Sequence, residues 1–131
     1  MLGVDTNVLV RFLVRDDEAQ FEKARKLIKR EVAAGSYIFV SQLVLLETEW
    51  VLRSRYGLPK NMIIEAISGL LDATDVRFED EPTIEEALFI WKDTTADFGD
   101  CLIGAKNRRL GCRATVTFDA KASKLPGFIA A

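Results

Sequence analysis

The chain has 131 residues, of which 49% are hydrophobic and 29% charged, a composition typical of one globular domain with a substantial core. Its 18 basic and 20 acidic residues give a net charge of -2, which argues against binding nucleic acid through bulk positive charge. The absence of histidine excludes Ser-His-Asp catalysis, Cys-His catalysis and His-ligated zinc sites. We expect a single domain over residues 1–131.

The first part of the chain is predicted to alternate short strands with longer helices. The apolar run over residues 1–4 predicts a buried strand that ends at Asp5, and Thr6 or Asn7 can cap the helix that follows. The remaining elements up to residue 95 are a helix over 16–35 with one basic side, a strand over 37–40, a helix capped by Ser41, a helix near Pro59, a strand over 75–79 and a helix from Pro82.

The stretch DFGDCLIGAKNRRLGCRATVTFD, residues 97–119, predicts a helix that ends at a glycine and then a short buried strand. Asp97 and Asp100 are three residues apart, so they lie on one helix face, one turn apart. The strand delivers Asp119 to its C-terminal end, the edge at which open α/β sheets bind ligands. A short helix and a docked loop are expected after Asp119.

This alternation predicts an α/β fold. Strands separated by helices indicate a mostly parallel sheet with helices on both faces. We therefore expect a three-layer α/β/α sandwich with four or so short parallel strands.

The two cysteines, Cys101 and Cys112, occur in a chain without a signal peptide or an apolar run of about 18 residues that could span a membrane. We expect both to be reduced thiols of a cytoplasmic protein that has no membrane partner.

Glu47 is the most informative single acidic residue. On a helical wheel of about 100° per residue, Glu47 falls near the middle of an apolar arc, and Glu49 lies to one side. The arc consists of Leu43, Val44, Leu46, Trp50 and Val51. A carboxylate in a core-facing stripe is costly unless it is paired or neutralised. A buried salt bridge, or a helix that is apolar on several sides, would explain Glu47 alone, whereas other carboxylates nearby favour a metal site.

The other acidic residues each have a structural alternative. Asp5, Asp97 and Asp119 can cap helices, and Asp100 suits the dipole of a first helical turn. Capping does not explain why these residues follow strand ends and occupy inward helix faces. Like charges gather where a cation holds them, and hard oxygen ligands favour Mg²⁺ or Mn²⁺ over zinc.

Polar and basic residues near the acids are ambiguous. Asn7 and Thr117 either orient Asp5 and Asp119 by hydrogen bonds, as groups around a metal do, or serve local capping and turn bonding. A basic helix side such as that over residues 23–30 is more often a solvated face than an RNA-binding surface. The same interpretation applies to Arg108 and Arg109.

Four segments together resemble the PIN domain, and more closely the VapC-type toxins of type II toxin–antitoxin systems. They are VDTNVLVRFL, LLETEWVL, ADFGDCLIGAKNRRLGC and TVTFD, and the resemblance covers essentially the full chain. It implies a ribonuclease dependent on Mg²⁺ or Mn²⁺ whose catalytic and metal-binding acids are Asp5, Glu47, Asp100 and Asp119. Asp97 matches a frequent extra acid.

The resemblance also implies partners and shows two departures. It implies an RNA substrate, a homodimer and a cognate antitoxin that blocks the active-site groove. Asn7 and Thr117 match polar positions beside the acids. Cys101 and Gly104 stand where alanine is usual, and both are small enough to be tolerated.

Two other functions remain open from the sequence. A haloacid-dehalogenase-like phosphatase also begins with a strand ending in Asp and uses Mg²⁺, but it needs a second Asp where this chain has Asn7. A non-enzymatic binding module would use the acids to hold a structural ion or a basic segment of a partner.

Overall fold

Short parallel strands and longer helices alternate along the chain in the computed structural model, which describes residues 1–131. The chain divides into two units, residues 1–79 and residues 80–131. The single domain expected over residues 1–131 stays a prediction. No helix combines the length and the apolar character that a membrane span requires.

The first unit consists of a parallel three-stranded sheet and four helices. Its elements are β1 (Leu2–Gly3), α1 (Thr6–Leu13), α2 (Glu18–Ala33), β2 (Ile38–Val40), α3 (Gln42–Ser54), α4 (Lys60–Asp72) and β3 (Val76–Phe78). The strand order is β1-β2-β3, with Leu2 opposite Ile38 and Ile38 opposite Val76. Because the strands are parallel, the residues that follow them lie at one edge of the sheet.

Side-chain caps determine where three helices of the first unit begin. Asp5, Asp17 and Ser41 each accept a hydrogen bond from the backbone N–H three residues on, at 3.0, 3.0 and 3.2 Å. Such bonds satisfy N–H groups that have no partner inside the helix. The predicted cap at Ser41 is confirmed. The prediction that Thr6 or Asn7 caps α1 is wrong, because Asp5 does so.

One face of the sheet belongs to the core of the first unit. Side chains along β2 and β3 point alternately to the two faces of the sheet, and those on the covered face are buried. They are Ile38, Val40, Val76 and Phe78. The helices add fully buried leucines and isoleucines, each of which stabilises the fold by about 1.5–3 kcal/mol. These are Leu45, Leu52, Ile63 and Ile67.

The second unit combines two packed helices with a small parallel sheet. Its elements are α5 (Glu81–Trp91), α6 (Phe98–Arg109), β4 (Thr115–Thr117), a short 3-10 helix (Ala122–Lys124) and β5 (Phe128–Ala130). The buried rings of Trp91 and Phe98 lie 5.1 Å apart between centroids, at the end of α5 and the start of α6. Thr115 of β4 pairs with Phe128 of β5.

The C-terminal segment is tied to α6 by packing and by hydrogen bonds. A Cβ atom on Gly104 would lie 2.4 Å from Cε1 of Phe128, so the ring needs a glycine beneath it. Arg108 donates to the backbone oxygen of Pro126 at 2.6 Å and to Oε1 of Glu86 at 2.9 Å. The departure from alanine at Gly104 therefore has a packing reason, and Arg108 has a structural role.

The predicted fold class, α/β with parallel strands, is confirmed, but the strands are distributed differently. There are five, arranged as a three-stranded and a two-stranded sheet. The segment expected to be a docked loop includes β5. The prediction of a buried strand before Asp119 is wrong about burial, because Val116 is 62% and Phe118 98% exposed. Alternation predicts a strand without deciding which of its faces is covered.

Candidate active site

The first unit places Asp5 and Glu47 beside the start of α1. Asp5 is exposed, and its Oδ1 accepts a hydrogen bond from the backbone N–H of Val8 at 3.0 Å. The next residue, Thr6, is buried and donates its hydroxyl proton to Oε1 of Glu47 on α3. Glu47 is thus held against the residue that follows Asp5.

Thr6 contacts a candidate acid, Glu47, although the sequence predicted Thr6 only as a possible helix cap. It is the first residue of α1, and its hydroxyl is committed to Glu47. Its position between Asp5 and Asn7, at the end of an apolar strand, is the signal that could have identified it.

The helical-wheel prediction for α3 is wrong about which face is covered. Leu43 is 80% and Trp50 50% exposed, and Glu47 between them is also exposed. The residues that α3 buries are Leu45, Thr48, Glu49 and Leu52. Because α3 has apolar residues on several sides, their periodicity alone does not select the core face. Glu47 is therefore a candidate through its contact with Thr6 and not through burial.

The buried carboxylate of α3 belongs to Glu49. Glu49 is 1% exposed, and its carboxylate accepts a hydrogen bond from Nε of Arg53, one helical turn later, at 2.8 Å. A buried carboxylate needs such a partner, since an unpaired one is strongly destabilising. The salt-bridge explanation considered for Glu47 thus applies to Glu49.

A groove between α1 and α2 opens beside Asp5. Its polar lining comprises Asp5, Asn7, Arg11, Gln20 and Lys23, and its volume is about 260 Å³. The exposed side chain of Asn7 makes no hydrogen bond with Asp5 in this structure. The orienting role of Asn7 stays a prediction.

The second unit gathers three carboxylates around one pocket. Asp97 is the N-cap residue of α6 but makes no side-chain capping bond, and Asp100 lies in the first turn of that helix. Asp119 follows β4. These three residues, together with Lys121, line a pocket of about 290 Å³.

Burial and the clustering of these carboxylates change the pKa of Asp100. Its pKa is raised above the usual value of 3.8, first by burial and then by the negative charges of Asp97 and Asp119. Burial and like charges both disfavour the ionised form. A cation in the pocket would relieve both effects, so the carboxylates of the second unit are suited to hold one.

Asp119 is fixed by local hydrogen bonds. Its Oδ1 accepts from the backbone N–H groups of Lys121 and Ala122, each at 2.8 Å, before the short 3-10 helix. Its own N–H donates to Oγ1 of Thr117 at 3.0 Å. Thr117 therefore bonds to the backbone of Asp119, which is the turn bonding considered as an alternative for this residue.

The family model of the PIN domain matches residues 3–127 of the chain. The chain belongs to the PIN domain family. This PIN domain is 27% identical over 122 residues to a VapC ribonuclease of Aquifex aeolicus, and the match covers 93% of this chain and 90% of that protein. The predicted resemblance to the PIN domain is confirmed.

A solved structure is also similar to this PIN domain. It is the crystal structure of Mycobacterium tuberculosis VapC20, described as a toxin that cleaves the sarcin–ricin loop. The identity is 23%, the match covers 94% of this chain and 93% of that one, and the TM-score is 0.44.

The donor chemistry of the PIN domain fits a hard divalent ion. The three acids of the second-unit pocket present carboxylate oxygens, the ligands that Mg²⁺ and Mn²⁺ prefer, and no cysteine lines that pocket. Within either unit, however, no three acidic or cysteine side chains are placed to hold one ion together.

The PIN domain thus distributes the predicted site residues over its two units. The first unit holds Asp5, Asn7 and Glu47, and the second holds Asp97, Asp100, Thr117 and Asp119. Their assignment to one catalytic centre stays a prediction.

Proposed function

We propose that this PIN domain is an endoribonuclease, a hydrolase of RNA phosphodiester bonds, and the toxin of a toxin–antitoxin pair. The observation that carries the proposal is the acidic pocket of the second unit, in a chain that the PIN family model matches over residues 3–127. The likeness to a VapC ribonuclease supports RNA as the substrate.

The proposed cofactor is Mg²⁺ or Mn²⁺, with Asp5, Glu47, Asp100 and Asp119 as its ligands and Asp97 as an additional catalytic acid. When bound, such an ion supplies an activated water and stabilises the charge that develops on the phosphate. The raised pKa of Asp100 results first from burial and then from the charges of Asp97 and Asp119. It supports this role, because a bound cation would favour the ionised form.

The side chains of the PIN domain have distinct tasks in this proposal. Thr6 positions Glu47 through its hydroxyl. Two backbone N–H groups fix Oδ1 of Asp119, which leaves the other oxygen of that carboxylate for a ligand. Because the chain has no histidine, carboxylates or water must accept and return the protons of hydrolysis.

The proposed partners follow from the VapC likeness. We include a homodimer and a cognate antitoxin, and the exposed apolar side chains of Leu43 and Trp50 on α3 support association with another protein surface. We also propose a cytoplasmic location, the compartment in which the two cysteines of the chain, Cys101 and Cys112, would stay reduced.

The decisive experiment compares Asp100→Asn with wild type. We expect cleavage of RNA to fall by about 100-fold or more, because a carboxylate that holds the ion and its charge is lost. Asp72→Asn, at the exposed end of α4, is the matched control and keeps full activity. RNA ends are mapped after expression without an antitoxin, and cleavage by purified protein is measured with and without excess EDTA.

Other outcomes would favour the alternatives. Undiminished cleavage by Asp100→Asn, or in excess EDTA, contradicts the metal-dependent proposal. A covalent aspartyl-phosphate trapped with beryllofluoride would indicate a phosphatase. Metal binding without cleavage of any RNA, together with tight binding of a basic peptide, would indicate a binding module.

A further inference from the structure

The groove between α1 and α2 has a donor-rich wall that the catalytic proposal does not use. Nε of Arg11 donates to Oε1 of Gln20 at 2.6 Å, so the amide N–H groups of Gln20 remain available as donors. Lys23 is exposed in the same groove and forms no ion pair. The groove therefore offers an ammonium group and amide donors beside the carboxylate of Asp5.

The walls of this groove are held together by contacts away from its opening. The rings of Phe12 on α1 and Phe21 on α2 stack with centroids 5.9 Å apart. Nη1 of Arg11 donates to the hydroxyl of Tyr56 at 2.8 Å. Because both helices are braced in this way, the backbone of the groove walls would not need to be ordered when a ligand binds.

The basic surface continues from the groove along α2. At about 100° per residue, Lys23, Lys26 and Arg30 lie within a sector of about 60°, on successive turns of the helix, with the exposed Leu27 beside them. We call these four residues the basic face of α2. None of its three cations forms an ion pair, whereas Arg25, on another side of α2, pairs with Glu22 at 2.9 Å.

The chemistry of this surface selects a polyanion with regularly spaced charges. Successive turns of a helix are about 5.4 Å apart, which is comparable to the spacing of phosphates along a nucleic acid strand. Lysine and arginine neutralise such phosphates, and Leu27 offers an apolar surface for a sugar or base. In a chain of net charge -2, an unpaired row of cations that begins beside an acidic site is suited to a strand of phosphates.

We propose that the α1–α2 groove and the basic face of α2 form a subsite for the backbone of single-stranded RNA next to the position of cleavage. In this subsite Lys23 binds the phosphate nearest Asp5, and Lys26 and Arg30 bind the phosphates that follow. This inference rests on the proposed ribonuclease function, since it assumes that RNA is the substrate.

The test measures binding without cleavage. A short fluorescein-labelled single-stranded RNA of mixed sequence is titrated by fluorescence anisotropy with full-length Asp100→Asn protein at several salt concentrations. Adding Lys23→Gln, Lys26→Gln and Arg30→Gln should reduce the slope of log affinity against log salt by about 2, since each phosphate contact on a single strand contributes about 0.7. Glutamine keeps the helix propensity of these positions, so α2 should remain folded.

Lys29→Gln, added alone to the Asp100→Asn protein, is the matched control for Lys23→Gln added alone. It removes the same charge from the same helix, but it lies about 120° around α2 from Lys23 and outside the basic face. We expect its salt slope to equal that of the Asp100→Asn protein. If Lys29→Gln lost as much affinity for the RNA as Lys23→Gln does, only the net charge of the protein would matter. That result would overturn the subsite.

Cleavage kinetics separate failure of the subsite from failure of the proposed function. In the catalytically intact chain, Lys23→Gln should raise KM several-fold and leave kcat unchanged. If wild type cleaves RNA and the triple variant keeps its kcat/KM and its salt slope, the subsite is overturned and the ribonuclease proposal stands. If wild type cleaves no RNA, the ribonuclease proposal fails, and this inference fails with it unless the salt-slope loss is observed.

A different occupant would also be recognised. If the triple variant binds RNA as tightly as its parent but loses binding to a poly-glutamate peptide, the basic face serves an acidic protein segment. That result would overturn the RNA subsite.

Discussion

Asp100 in the second unit of this PIN domain has electrostatic surroundings opposite to those of Asp5 and Glu47 in the first unit. In the first unit Asp5 caps α1 and Glu47 accepts the hydroxyl of Thr6, so both carboxylates have neutral donors in the apo protein. In the second unit burial, and then the negative charges of Asp97 and Asp119, raise the pKa of Asp100. Carboxylates that are proposed to bind the same ion can thus stabilise the folded protein in one unit and destabilise it in the other.

This difference has a consequence for mutagenesis. Removing a carboxylate that serves as a cap should destabilise the protein. Removing one that suffers repulsion should stabilise the metal-free protein, even though it abolishes activity. Stability measurements therefore distinguish a capping acid from a repelled acid independently of any cleavage assay. Substitutions at Asp5 and Asp100 test this distinction, and a substitution at Gly104 tests the packing of the second unit.

The largest expected effect on stability concerns the packing that holds the segment after β4 in the second unit. Gly104→Ala should lower the free energy of unfolding by about 1–3 kcal/mol, because its Cβ would lie 2.4 Å from the Phe128 ring. Urea denaturation followed by circular dichroism measures the change. Gly69→Ala, on α4 with open space around its Cβ position, is the control and should not destabilise the protein. Unchanged stability in Gly104→Ala would show that β5 packs differently.

The next effect concerns the first unit. Asp5→Ala should lower the free energy of unfolding by about 1 kcal/mol, since α1 loses its side-chain cap. Asp5→Asn should retain most of that stability, because asparagine also accepts the capping bond, and yet should lose RNA cleavage. Thermal and urea unfolding of both variants provides the measurement. A more stable Asp5→Ala protein would show that repulsion dominates in the first unit as well.

The smallest effect has the opposite sign and belongs to the second unit. Asp100→Asn should raise the free energy of unfolding of the metal-free protein by less than about 1 kcal/mol near neutral pH, because it removes a partly exposed carboxylate from two negative neighbours. Added Mg²⁺ should raise the Tm of wild type more than that of the variant, since binding to the folded state stabilises it.

The pH dependence of that difference follows from the direction of the shift. Because the folded-state pKa of Asp100 lies above 3.8, the folded protein binds the proton more tightly than the unfolded chain. The stability contributed by the protonated group is fully present below pH 3.8 and is lost as pH rises through the raised pKa. The difference in free energy of unfolding between Asp100→Asn and wild type should therefore grow as pH rises from 3.8 through the raised pKa. A difference that shrinks with rising pH would contradict a raised pKa at Asp100.

Elements whose limits depend on near neighbours could be predicted from the sequence. The cap at Ser41 bonds three residues along the chain, and the glycines that end α2 and α6, Gly35 and Gly111, have φ of 81° and 93°. Left-handed backbone is easily reached only by glycine, so these stops are visible in the sequence itself. The resemblance to the PIN domain likewise needed only short motifs and their order.

Features that depend on distant segments were predicted less well. The predictions of which face of α3 is covered and of a buried β4 were wrong, and β5 was not predicted. Each of these features depends on what packs or pairs against the element. The basic side of α2 was visible in the sequence, whereas the lack of ion pairs at Lys23, Lys26 and Arg30 was not. The continuity of this basic side with the groove beside Asp5 became apparent only once α1 packed on α2.

The sequence by itself determined the order of the helices and of the first four strands, the family, and the identities of the candidate acids, because these are encoded in local spacing and short motifs. The tertiary structure decided that Glu49 and not Glu47 is the buried acid of α3, that Thr6 holds Glu47, and that three aspartates share a pocket. Burial and charge interaction depend on distances between segments far apart in the chain, and only folding establishes those distances.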